Sequence, residues 1–224
     1  MTDRLAEIRD RTQQILATLP DGVSLVAAAK TRSPEETRAA IAGGARILGH
    51  NYVQEAAASI EALGSDVGVL WHLVGHLQRN KVKQAVRLFD AIQTVDSMRL
   101  ARAIAAECER VGRVMPILIE VNSARELQKA GVAPEEAEDL IRDVAALKQI
   151  RIDGLMTMGP FVNDPERLRP IFAATKELFD RIAGLSIPDV AMTTLSMGMS
   201  SSYRVAIAEG ATMVRLGTIL FGPR

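Results

Sequence analysis

The stretch "VSLVAAAKTRSPEETRAAIAGG", Val23 to Gly44, contains one complete strand-and-helix unit and sets the reading of everything after it. Its first half, "VSLVAAAK", is a short apolar run suited to a strand covered on both faces, and the run ends on Lys30. Ser33 and Pro34 then open a helix over "PEETRAAIAGG": serine is a preferred cap, and proline is tolerated in the first turn. A strand followed directly by a helix implies parallel pairing with the next strand through a right-handed crossover.

The unit recurs along the chain. "RILG" precedes a helix after "HNYVQE", and "VLWHLVG" precedes "NKVKQAVRLF". "AIQTV" precedes Asp96 and Ser97, which can cap "MRLARAIAAECERVG". Then come "MPILIEVN" with "APEEAEDLIRDVAAL", "IRIDGLMTMG" with "PERLRPIFAATKELFDRIA", and the strands "AMTTLSMG" and "TMVRLG" around "SSYRVAIAEG". Eight such units closing on themselves predict a (β/α)8 TIM barrel, a fold of about 250 residues for which 224 is a normal length. An open doubly wound sheet is the alternative. Against it, the first strand runs into "KTRSPEE", without the glycine-rich turn that cradles a dinucleotide pyrophosphate. With no Pro-, Gly- or Ser-rich linker, residues 1–224 are expected to form a single domain, preceded by an amphipathic helix carrying Leu5, Ile8, Ile15 and Leu19.

Composition narrows the function. Lysine plus arginine equals aspartate plus glutamate at 27 each, so no overall field gathers nucleic acid or an anionic membrane. Cys108 is the single cysteine, which excludes a disulfide framework and points to a reducing compartment. No apolar run approaches the roughly 20 residues of a membrane span. A soluble, monomeric, cytoplasmic protein is expected. His72 and His76 lie in "WHLVGHLQ", a strand and turn rather than a helical zinc motif, so no metal site is expected.

In a barrel, polar residues at strand C-termini line the functional mouth. Lys30 taken alone has two readings: a lysine snorkelling to solvent, or a nucleophile toward a carbonyl that forms a Schiff base. "SMGMSSS" and "RLGTILFG" supply Gly198, Ser200, Gly217 and Thr218 on the last two strands, the usual phosphate position of such barrels. On closure, strand one lies beside strand eight. A Schiff-base lysine beside a phosphate site fits pyridoxal 5′-phosphate, with Arg215 able to reach the pyridine nitrogen and keep it unprotonated. An internal ion pair between Arg215 and Glu120 is the competing reading of that arginine.

The motifs "AAAKT", "NYVQE", "WHLVGHLQRNK", "GLMTMG", "LSMGMS" and "VRLGTILFGPR" together resemble the pyridoxal phosphate homeostasis proteins of the YggS and PROSC group, over nearly the whole chain. The resemblance implies a barrel like the N-terminal domain of alanine racemase that binds pyridoxal 5′-phosphate, without established catalysis, and passes it to apo-enzymes. It implies Lys30 as the Schiff-base lysine, Ser200, Gly217 and Thr218 around the phosphate, and Arg215 at the pyridine nitrogen. Asn51, His72 and Met197 match pocket-lining positions, and Lys129 matches a lysine near the mouth linked to cofactor handling. Three positions depart from the family pattern: His50, Ser202 and Arg204. A PLP-dependent amino-acid racemase is the alternative function, and a phosphosugar isomerase with Glu120 as base is a remoter one.

Overall fold

The computed structural model describes residues 2–64, 67–126, 128–160 and 162–223. Eight parallel strands close in sequence order into a barrel: β1 (Ser24–Ala28), β2 (Ile47–His50), β3 (Leu70–Leu73), β4 (Ala91–Val95), β5 (Met115–Glu120), β6 (Ile150–Met156), β7 (Val190–Ser196) and β8 (Met213–Leu216). Closure is made by β1 on β8, in a register running from Ser24 opposite Met213 to Ala27 opposite Leu216. Helices α1 (Thr2–Thr18), α2 (Pro34–Ala42), α3 (Val53–Leu63), α4 (Val82–Leu88), α5 (Met98–Val111), α6 (Ala137–Ala145), α7 (Arg169–Gly184), α8 (Tyr203–Ala208) and α9 (Thr218–Phe221) surround it. No helix among the described residues is long and apolar enough to cross a membrane.

Local sequence accounts for several of these boundaries. Ser33 caps α2 in a full capping box: its hydroxyl accepts from the Glu36 N–H while the Glu36 carboxylate accepts from the Ser33 N–H. Ser97 holds the N-cap position of α5, but its side chain makes no capping bond. Helix α3 begins inside the "NYVQE" motif, at Val53, rather than after it. The N-terminal helix packs on α2 and α9. Its close approach to α2 requires Gly43, where a Cβ would stand 2.4 Å from the Arg9 carbonyl oxygen.

The barrel separates two cores. The outward sides of the strands, including Leu25, Ala27, Leu48, Trp71, Ile117, Ile119, Leu195 and Val214, join the helices in one large apolar cluster. Inside the barrel a small cluster of Val26, Val74 and Met213 shares the space with buried polar residues, chiefly His72, Gln93, Glu120, Ser196 and Arg215. Mostly apolar strands therefore carry polar residues at inward positions near their C-terminal ends. That placement marks the functional end of the molecule.

His50 falls on the outer side. It is 1% exposed, stacks on Trp71 with ring centroids 5.6 Å apart, and neither ring nitrogen has a hydrogen-bond partner. Burial lowers its pKa from 6.5 to about 4. The unfolded chain thus takes up this proton first as the medium is acidified. The stability contributed by neutral His50 is full above pH 6.5 and is lost as pH falls from there through about 4. His50→Phe, which keeps the stack and cannot titrate, should gain roughly 2 kcal/mol more at pH 5 than at pH 8. Urea unfolding at the two pH values checks this; an equal effect at both would contradict it.

Candidate cofactor site

The chain leaves β1 earlier than its apolar run predicts. The strand ends at Ala28, and Lys30 lies in a turn closed by the Arg32 N–H donating to the Ala29 carbonyl at 3.1 Å. Thr31 occupies that turn at φ 60°, a conformation strained for a β-branched residue. Lys30 is half-buried just beyond the C-terminal end of β1. Among the described residues no carboxylate pairs with it.

The end of β8 touches this turn's approach. A Cβ on Gly217 would lie 3.5 Å from the Ala28 carbonyl oxygen. The N–H groups of Gly217 and Ile219, at the start of α9, converge on Ser200 Oγ at 3.1 and 3.3 Å. Thr218, between them, is exposed. The structure therefore gathers Lys30, Ser200, Gly217 and Thr218 along the β1–β8 seam. Asn51 lies nearby on the neighbouring strand end and lines a cavity of about 340 Å³ with Tyr52, Gly75 and His76. Loops β2 and β3 meet closely there only because Gly75 lacks a Cβ, which would sit 2.3 Å from the Asn51 carbonyl oxygen.

Below the mouth runs a continuous hydrogen-bond chain. Arg215 is 5% exposed and donates from Nη1 to Ser196 Oγ at 2.7 Å and from Nη2 to the Thr157 carbonyl at 2.9 Å. Ser196 donates to Gln93 Oε1 at 2.7 Å, and Gln93 Nε2 donates to His72 Nδ1 at 2.9 Å. His72 Nδ1 is thus an acceptor, which places its proton on Nε2. Burial supports that neutral form by lowering the His72 pKa to about 4. Desolvation also lowers Arg215, to about 10, with Glu120 pulling the other way, so the guanidinium stays charged at neutral pH.

Two further expected residues lie outside the β1–β8 seam. Met197 is fully buried in the outer apolar cluster, one residue out of phase with the inward Ser196. Lys129 lies across the mouth, donating to the Gly159 carbonyl at 3.0 Å and pairing with Glu126 at 2.5 Å. Arg215 takes Ser196 and Thr157 as partners, while Glu120 keeps Oε2 without a hydrogen bond. Gln93, Ser196 and Thr157 are absent from the sequence reading; polar residues within or just after apolar strands were their only signal. Near this loop, Ser202 Oγ accepts from the Met199 N–H at 3.2 Å, and Arg204 lies over the Tyr203 ring with Nε 3.1 Å from its hydroxyl. Among the described residues no group of three or more His, Cys, Asp or Glu is placed to hold a metal ion.

Known proteins match this arrangement along its length. The model of the alanine racemase N-terminal domain family matches residues 4–224. The pyridoxal phosphate homeostasis protein of Aquifex aeolicus is 38% identical over 99% of this chain and 97% of its own length. That of Escherichia coli K12 is 34% identical over 98% and 95%. PipY of Synechococcus elongatus, solved with PLP bound, superposes with a TM-score of 0.89 at 35% identity, covering 96% of this chain and all of its own. Alanine racemase of Clostridium difficile shares the fold, with a TM-score of 0.80 at 15% identity over 97% of this chain and 60% of that one. The chain belongs to the pyridoxal phosphate homeostasis protein family, on the barrel of the alanine racemase N-terminal domain.

Proposed function

We propose that this protein binds pyridoxal 5′-phosphate covalently through Lys30 and serves as its carrier, limiting the free aldehyde and passing the cofactor to apo-enzymes. The observation that carries the reading is the buried Arg215, fixed by Ser196 and Thr157 beneath a mouth that holds Lys30 and the Ser200–Gly217–Ile219 cluster. The donor set fits the cofactor end to end. Converging N–H groups and a hydroxyl suit a phosphate, a primary amine suits an aldehyde, and a guanidinium suits a ring nitrogen that accepts. The PLP-bound state of PipY, a relative at 35% identity, supports the same ligand.

When bound, the cofactor supplies an aldehyde that condenses with an amine, and a ring that can draw electrons from the attached carbon. Lys30, half-buried in the turn before Thr31, provides the amine. The hydroxyl of Ser200 and the N–H groups of Gly217 and Ile219 orient the phosphate end, with Thr218 available as a further donor. Arg215, still protonated at neutral pH, can only donate, so it holds the ring nitrogen as an acceptor without a proton of its own. His72, neutral with its proton on Nε2, and Asn51 supply further contacts at the pocket edge. We place Lys129 in cofactor handling at the far side of the mouth, and Met197 as support behind Ser196.

A racemase needs acid and base on opposite faces of the substrate carbon. Of the two tyrosines, Tyr52 is 62% exposed at the start of α3, and Tyr203 is 5% exposed with its hydroxyl held by Arg204. An unprotonated ring nitrogen is also a weak electron sink. Both features favour a carrier over a catalyst, with residues 1–224 acting as one monomeric binding unit in the cytoplasm.

Borohydride reduction of the loaded protein followed by peptide mapping should place the adduct on Lys30, and Lys30→Ala should remove it. An adduct on another lysine in the unmodified chain would overturn the assignment.

The loaded protein should also transfer its cofactor to an apo-enzyme while failing to exchange the α-hydrogen of amino acids with deuterium at enzymatic rates. Exchange that is rapid, saturable and lost in Lys30→Ala would make the protein an enzyme instead.

A further inference from the structure

The inner face of β5 ends on Glu120, a carboxylate that the cofactor reading does not use. It is 3% exposed, and Oε2 has no hydrogen-bond partner. An acceptor left bare in this way is destabilising, the more so when charged. Burial and the nearby Asp96 push its carboxyl up to about 7, against the pull of Arg215. The basic groups around it are committed elsewhere. Arg215 is bound to Ser196 and Thr157, Lys129 to Glu126 and Gly159, and His76 Nδ1 faces Asp96 at 4.0 Å.

Glu120 lines a cavity of about 300 Å³ at the mouth, bordered by the ends of β5 and β6 and by the loop that follows β7. Met158, Met199, Val121 and Ala130 give that cavity an apolar wall. Lys129 and His76 also border it, each already paired as above, so it offers one uncommitted acidic acceptor, a flexible thioether lining and no uncommitted lysine or arginine. A ligand that satisfies all three is a cation with N–H donors and a short hydrocarbon chain. We propose that this cavity is a binding subsite for a protonated primary amine, with the ammonium on Glu120 and the chain between Met158 and Met199. The ammonium supplies both the missing hydrogen bond and the countercharge that the buried carboxylate lacks. Methionine side chains adapt to chains of different shape, so the site selects the charged end more than the tail. A carboxylate ligand is disfavoured because it would face Glu120 and compete with Glu126 for Lys129. The subsite shares no residue with the Lys30, Ser200 and Gly217 cluster, although Lys129 borders both this cavity and the cofactor mouth.

The test is a titration of the full chain with n-butylammonium chloride at pH 8, above the Glu120 value of about 7, following the methyl resonances of Met158 and Met199. Saturable shifts are expected in the unmodified chain and equally in Lys30→Ala, where no imine can form at that position. Glu120→Gln should weaken binding by at least about tenfold. Ala130→Leu, which fills the cavity and leaves Glu120 intact, should do the same and guards against a folding defect in the first variant. Absence of saturation, binding indifferent to both variants, or tighter binding of n-butyrate than of n-butylammonium would each overturn the proposal.

Discussion

A guanidinium enclosed by a barrel must be satisfied from several strands at once, and Arg215 is satisfied in this way. Removing such a charge from water costs several kcal/mol unless hydrogen bonds replace the lost solvent. Here Ser196 at the end of β7 and the carbonyl of Thr157 just past β6 accept from it, and Ser196 passes the chain on to Gln93 on β4 and His72 on β3. These contacts exist only when the barrel is closed and in register. The polar chain is therefore a condition on the fold, and it ties together β3, β4, β6, β7 and β8, the last two of which lead into Ser200 and Gly217.

The same closure divides the ionisable groups by environment. His72 faces inward, where Gln93 fixes its tautomer, whereas His50 faces outward against Trp71 with no partner at all. Both are held neutral by burial, but only the first belongs to the site. His50 consequently bears on stability in acid rather than on the pocket. Arg204 also stays on its own Tyr203 ring, and Ser202 is occupied in shaping its own loop. Ser202 thereby braces the turn that carries Ser200 of the β1–β8 seam.

Much of this was legible in the sequence because the βα alternation is a local property, written in apolar runs and caps such as Ser33 and Pro34. The eight strands and the placement of Lys30 beside β8 follow from it. What was not legible depends on contacts made only in three dimensions. Lys30 lies beyond the strand because Arg32 bonds back to Ala29, with Thr31 in an unfavourable conformation that no propensity rule anticipates. The short helix α9 follows an apolar strand without a turn signal strong enough to separate them. Gln93, Ser196 and Thr157 read as ordinary strand residues until closure points them at Arg215. The ion pair imagined between Arg215 and Glu120 is replaced by neutral acceptors, which leaves Glu120 facing a cavity instead.

Because the proposed binding mode sets Arg215 against the cofactor's ring nitrogen, the protonation of that ring tests it most directly. Protein loaded with pyridoxal 5′-phosphate labelled with ¹⁵N at the ring nitrogen should give the chemical shift of an unprotonated pyridine at neutral pH. A shift characteristic of pyridinium would contradict it, since a charged Arg215 could not then be the group facing that nitrogen.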